Sequence, residues 1–163
     1  MKLWAYIALL AVTGGAQSRR PGDIQPAASP FVRDFLDAHN DVRSRVGVGP
    51  LVWSEHLAAE AQNWAETLAA RNQFRHTPNS SYGQNLFSST RREAPSQVID
   101  AWASEARDYS YSSNRCRGVC GHYTQIIWST TREVGCGVAR GGGREVWVCN
   151  YNPPGNWVGK RPY

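Results

Sequence analysis

The chain has 163 residues, with 18 Lys and Arg against 13 Asp and Glu, a formal net charge of +5, and seven Trp and seven Tyr. That aromatic content and modest charge exclude a disordered polyelectrolyte and point to one folded domain with a single core. The positive balance comes from sixteen Arg and two Lys in runs no longer than two, which excludes a nucleic-acid-binding stripe and suggests a mildly cationic surface suited to anionic cell-wall or lipid surfaces.

Lys2, the apolar run from Leu3 to Val12, and the small residues Gly14, Gly15 and Ala16 form the three parts of a secretory signal. Cleavage is expected after Ala16, with Ser18 as the alternative. The run is too short to span a bilayer, which takes roughly 20 residues. No later stretch reads as a membrane span or a lipid-anchor tail, so a soluble, extracellular chain is expected.

Residues 17–29 are Pro-rich, polar and aperiodic, and read as a flexible arm before a domain over 30–163. A first helix is predicted from Pro30, with Phe31, Phe35, Val42 and Val46 on one face; Gly47, Gly49 and Pro50 end it. A second, capped by Ser54, runs to about Arg71 on a stripe of Leu57, Ala61, Trp64, Ala65 and Leu68. Residues 72–93 are irregular except for a strand near Tyr82 to Ser88. A third helix opens at Pro95-Ser96 and carries Val98, Ile99, Trp102 and Ala106, with Glu105 at the edge of its buried stripe. Tyr109 to Gly121 reads as a long loop, and Gly121 to Trp128 as either a short helix or an apolar strand. Strands at Val134 to Arg140 and Glu145 to Asn152 are joined by Gly141-Gly142-Gly143, a hairpin signal. The Pro/Gly-rich tail, Pro153 to Tyr163, is expected to pack as ordered coil. Helices on both sides of these strands predict an α+β class, a sheet covered by helices.

Four cysteines, Cys116, Cys120, Cys136 and Cys149, in an exported chain predict two disulfides. Of the three connectivities, Cys116–Cys120 with Cys136–Cys149 is preferred. A zinc-thiolate site is disfavoured by the absence of a CxxC pair. Of the four histidines, His39 reads as a hydrogen-bonded structural residue and His56 as exposed. His76 precedes a turn and His122 opens an apolar run, so both suit a cleft. Two histidines and a carboxylate suffice for a divalent ion, but their spacing matches no metal-binding helix. GxSxG and free-cysteine nucleophiles are absent, which leaves only a spatially assembled triad. Asn79-Ser80-Ser81 is a glycosylation sequon at Asn79.

Two stretches are far more specific: Gly121-His122-Tyr123-Thr124-Gln125-Ile126-Ile127-Trp128 and Cys149-Asn150-Tyr151-Asn152-Pro153-Pro154-Gly155-Asn156-Trp157. They resemble the two signature motifs of the CAP superfamily, the cysteine-rich secretory, antigen five and pathogenesis-related proteins. Ala38 to Arg43 (AHNDVR) and the segment around Glu105 extend the likeness. The ending GNWVGKRPY is similar to the plant pathogenesis-related protein one group.

The resemblance implies a three-layer α-β-α sandwich with a cleft lined by His76, His122, Glu105 and a second acid. That second acid belongs to a Gly-Glu-Asn-Leu motif, where this chain has Gly83-Gln84-Asn85-Leu86. A neutral amide keeps the hydrogen-bonding reach but removes a negative charge, so no cofactor is expected to be required, and a divalent metal such as zinc at His76 and His122 would be weakened by Gln84. Six-cysteine plant relatives carry a further bridge where this chain has Phe74 and the region of Arg140; both partners are missing together, which supports the preferred pairings.

The resemblance also implies sterol or fatty-acid binding at a loop near the third helix. Here that loop is Tyr109 to Cys120, in which Tyr109 and Tyr111 either stack on a flat apolar ligand or simply cover the core. The expected function is a secreted, monomeric, non-enzymatic defence protein of the extracellular space (the apoplast or cell wall in a plant). The alternatives are a metal-dependent hydrolase centred on His76, Glu105 and His122, and a precursor that releases Pro153 to Tyr163 as a signal.

Overall fold

Ser29 starts the first helix: its hydroxyl accepts the Val32 amide, and proline occupies the first turn of α1 (Pro30–Ser44). The computed structural model describes residues 29–163, so the expected signal and nearly all of the expected arm lie outside the described residues. Strand β1 (Val52–Trp53) leads into α2 (Glu55–Ala70), whose cap is Ser54. Then come β2 (Gly83–Ser89), α3 (Pro95–Ala103), a 3₁₀ turn over Ser104–Asp108, and the short strands β3 (Tyr109–Ser110) and β4 (Arg115–Cys116). Helix α4 (Gly121–Ile126) and the hairpin of β5 (Glu133–Gly141) and β6 (Arg144–Asn152) complete the chain. Among the described residues no helix is long and apolar enough to cross a membrane.

The main sheet has the order β1-β5-β6-β2, antiparallel except for β1 beside β5. Alternation along β6 explains the layering, because successive strand residues point to opposite faces. Val146 and Val148 join Ala61, Ala65 and Leu68 of α2, whereas Trp147, Cys149 and Tyr151 join Phe35 and Val42 of α1, Val98, Ile99 and Trp102 of α3, and Ile126 of α4. One helix therefore covers one face and three the other, as expected for the three-layer α-β-α sandwich.

Helix α2 lies unusually close to β5. A Cβ at Gly135 would stand 2.2 Å from the Ala58 amide nitrogen, and one at Gly137 2.4 Å from the Gln62 Cα. On the side where β1 is too short to continue the ladder, Gln62 takes its place. Its Oε1 accepts the Val138 amide at 2.9 Å, and its Nε2 donates to the Val138 carbonyl at 3.0 Å. Gly137→Val should force α2 off the sheet and cost about 2 kcal/mol or more, as overpacking of tight cores does; a urea unfolding midpoint unchanged from wild type would contradict this.

Three local expectations change. The third helix ends at Ala103, so Ala106 lies in the 3₁₀ turn and is exposed. The segment after Tyr109 is not plain loop, because β3 and β4 pair into a small ribbon. Gly121 to Trp128, open between helix and strand, begins as helix α4. The hairpin turn is made by Gly142 and Gly143, both at positive φ (59° and 80°), a two-residue connection that matches strand twist.

Cys116 is bonded to Cys120, and Cys136 to Cys149 directly across the β5–β6 register. Phe74 is half exposed, and the Arg144 guanidinium at the start of β6 sits 5.9 Å above its ring. This cation–π contact joins the loop after α2 to the hairpin. At about 0.5–1 kcal/mol for an exposed pair, it is weaker than the roughly 2–4 kcal/mol of a disulfide.

Candidate functional site

The cleft is assembled from three elements. Glu105 leaves the 3₁₀ turn after α3 and reaches the first turn of α4. Its Oε2 accepts the His122 and Tyr123 amides at 3.0 and 3.3 Å, and its Oε1 accepts His122 Nδ1–H at 2.6 Å. A carboxylate at exposed helix amides is well placed electrostatically, so Glu105 both starts α4 and orients the imidazole. The His122 ring stacks on Trp102 with centroids 5.9 Å apart and planes 12° from parallel.

Gln84, on β2, performs the same service for His76. Its Oε1 accepts the Thr77 amide at 3.0 Å and lies 3.1 Å from His76 Nδ1. Its Nε2 donates to Thr77 Oγ1 and Asn150 Oδ1, both at 2.9 Å. Because the backbone amide of Thr77 requires an acceptor, the amide orientation is determined, and His76 Nδ1 must be the donor. In both imidazoles Nδ1 is thus engaged, and in the neutral ring Nε2 carries the lone pair.

His76, Gln84, Asn85, Val119, Gly121, His122 and Asn156 line one cleft of about 230 Å³. The four residues expected to share a site are therefore joined: His76, Gln84 and His122 line the cleft, and Glu105 lies behind His122. Only the His76 and His122 Nε2 atoms remain as donors toward a divalent ion. Both Glu105 oxygens and the Gln84 oxygen are already hydrogen-bonded, and among the described residues no three His, Cys, Asp or Glu side chains are grouped to hold a metal. Asn79 lies exposed on the neighbouring turn at φ +52°.

Behind the cleft runs a buried polar chain with no counterpart among the expected site residues. Asn85 Nδ2 donates to the His122 carbonyl at 3.1 Å and to Tyr151 Oη at 3.2 Å. His39 Nδ1–H donates to the Phe35 carbonyl at 2.8 Å, so its Nε2 accepts the Tyr151 hydroxyl at 2.9 Å. Burial lowers the His39 pKa to about 4, the Phe35 carbonyl opposing this in part, and burial pushes the Tyr151 hydroxyl well up. The sequence signal for Asn150 and Tyr151 is their place inside the second specific stretch, and for Asn85 its place in Gly83-Gln84-Asn85-Leu86, but residue type alone does not separate wall from ligand. His39 is the structural residue expected, and His56 is exposed beside Glu60.

A second cavity, of about 360 Å³, lies between the β3–β4 ribbon and the tail, where Tyr109, Cys116, Cys120 and Trp128 face Trp157 and Pro162. Its polar rim is bonded internally. Tyr109 Oη donates to Asn114 Oδ1 at 2.8 Å, Asn114 Nδ2 to the Lys160 carbonyl at 3.2 Å, and Thr124 Oγ1 to Asn156 Oδ1 at 2.7 Å. Tyr111 is held elsewhere: it stacks on Tyr163 at 4.4 Å and donates to the Tyr163 carbonyl. The tail is an ordered coil, with Gly155 N donating to Gln125 Oε1 at 3.1 Å and Ser129 N to the Pro162 carbonyl at 2.7 Å.

This two-histidine cleft on an α-β-α sandwich coincides with a match to the family model described as CAP, cysteine-rich secretory protein family, over residues 36–151. The chain belongs to the CAP family. Relatives of this CAP protein include pathogenesis-related protein 1 of Arabidopsis thaliana, 40% identical over 80% of this chain and 81% of the relative. Pathogenesis-related leaf protein 4 of Solanum lycopersicum is 43% identical over 80% and 82%. Among solved structures, venom allergen-like protein 4 of Schistosoma mansoni superposes with a TM-score of 0.68 at 30% identity, covering 83% of this chain and 94% of the other. NaASP2, solved with Zn2+, superposes at 0.71 with 25% identity, covering 83% and 86%. The CAP fold and the likeness to pathogenesis-related protein one, read from the motifs, are both borne out by these matches.

Proposed function

We propose that this CAP protein is a secreted, non-enzymatic, defence-related protein that holds a sterol or another lipid in the cavity between the β3–β4 ribbon and the tail. The observation that carries this reading is the internal bonding of the cavity's polar rim. Tyr109, Asn114, Thr124 and Asn156 satisfy one another, which leaves ring and aliphatic surface to face a ligand, the usual character of a small-molecule site. Tyr109 contributes to this wall, whereas Tyr111 secures the tail that forms the opposite one. Purified secreted protein should bind labelled sterol saturably; signal no higher than a denatured control, across several sterols, would sink the proposal.

The cleft supports a weaker second reading, a divalent-metal site at the His76 and His122 Nε2 atoms. When bound there, such an ion would supply Lewis-acid chemistry, while Glu105 and Gln84 hold the two rings in position. Gln84→Glu should raise zinc affinity about tenfold or more by restoring a carboxylate behind His76, on the scale of outer-shell partners. Calorimetry showing equal affinity in both proteins would remove Gln84 as the cause. Release of Pro153 to Tyr163 as a signal, the third reading, would require breaking the Gly155 and Pro162 bonds described above; extracellular mass spectrometry that finds only intact C-termini would count against it.

A further inference from the structure

The apex of the tail turn is built unlike a surface that meets only water. Trp157 O accepts the Lys160 amide at 3.0 Å, closing a turn with Gly159 at φ +78° and Val158 at its tip. Val158 is fully exposed, Trp157 is 60% exposed, and Val119, which borders the cleft beside Asn156, is 62% exposed. The Trp157 indole N–H donates to the Pro154 carbonyl at 3.1 Å, so the polar edge of the ring is already satisfied and hydrocarbon remains outward.

The two segments that meet at this tip are rich in cations. Segments 107–118 and 156–163 carry Arg107, Arg115, Arg117, Lys160 and Arg161, and Asp108 is their one acidic side chain. None of the five makes an ion pair among the described residues. Arg161 instead ties the tail to the ribbon through the Tyr111 and Ser112 carbonyls, which keeps the two cationic segments together.

We infer that this face docks on an anionic lipid bilayer, with Trp157 and Val158 entering the interface and the flanking Arg and Lys lying at headgroup level. Aromatic and aliphatic side chains favour that depth, and unpaired cations gain from a negative surface. A polysaccharide would use the cations and the Trp ring but would leave Val158 without a role, so the bilayer is the better fit. The inference does not depend on the lipid cavity, because it is tested on vesicles without sterol.

Protein secreted by a eukaryotic host should sediment with phosphatidylcholine–phosphatidylserine vesicles, not with phosphatidylcholine alone, and should be released by salt. Val158→Ser should weaken binding about tenfold, from roughly 1.5 kcal/mol of lost burial. Lys160→Gln should weaken it about fivefold, from roughly 1 kcal/mol per cation near the surface. Brominated acyl chains should quench tryptophan emission less in Trp157→Leu than in wild type. Because Val158 and Trp157 are exposed, unfolding midpoints should stay unchanged and confirm that the variants are folded. Equal binding to both vesicle types, variants that bind like wild type, or retention by polygalacturonate without vesicle binding would each overturn the inference.

Discussion

Arg43→Ala should destabilise the domain by about 4 kcal/mol or more, a large share of the roughly 5–15 kcal/mol that holds a domain of this kind together. Arg43 is fully buried near the end of α1 and has no carboxylate partner among the described residues. Four of the five guanidinium N–H groups donate to backbone carbonyls. Nε donates to the Gly49 carbonyl at 2.7 Å, one terminal nitrogen to the Ile126 and Trp128 carbonyls at 2.7 and 3.0 Å, and the other to the Thr131 carbonyl at 3.2 Å. Two of these carbonyls lie at and just beyond the C-terminus of α4, where a cation also meets the negative end of the helix. Burial lowers the guanidinium pKa to about 10, but it stays charged at any physiological pH. Alanine would remove these four hydrogen bonds at once and open a cavity, although the Trp128 carbonyl keeps the Thr131 amide. Arg43→Lys should recover only part of the loss, since an ammonium cannot reproduce the planar fork. Denaturant midpoints for the three proteins test this, and an Arg43→Ala protein as stable as wild type would refute it.

Stability should also fall on acidification because of His39. Its pKa is about 4 in the folded protein, against an ordinary value of 6.5. The unfolded chain therefore takes up the proton first. The stabilisation, about 3 kcal/mol, is complete above about pH 6.5, declines as pH falls toward 4, and is lost once both states are protonated. The cause is geometric: protonation would place a charge in the core and put a donor on the Nε2 that now accepts from Tyr151. His39→Gln should be less stable at neutral pH but should lose the one-proton slope between pH 6.5 and 4. Urea midpoints across that window will decide it; identical slopes in wild type and variant would show that His39 is not the responsible group.

Much of the site was legible because CAP motifs are contiguous. His122 stands in Gly121 to Trp128, and Gln84 stands where the family has an acid. Neither Arg43 nor Asn85 could be assigned in the same way. Arg43 looks like any arginine near the end of a helix until residues 126–131 are folded against it. Asn85 borders the cleft next to Gln84, yet its Nδ2 is spent on Tyr151 and the His122 carbonyl. Tyr109 and Tyr111, equivalent in sequence, have different fates because one faces the cavity and the other meets Tyr163.

Local chemistry by itself determined the helices α1 and α2, the glycine hairpin, and the two-faced alternation of β6. Each depends on periodicity, caps or positive φ within a few residues, and those preferences survive in any context. Tertiary structure alone decided the rest. Glu105 capping α4 helps make a helix of a segment whose apolar pattern suited a strand equally well. The tail docking on the β3–β4 ribbon turned two unremarkable segments into a cavity wall and a cationic, apolar-tipped face. Those features depend on contacts between residues far apart in the chain, for which the linear sequence holds no local signal.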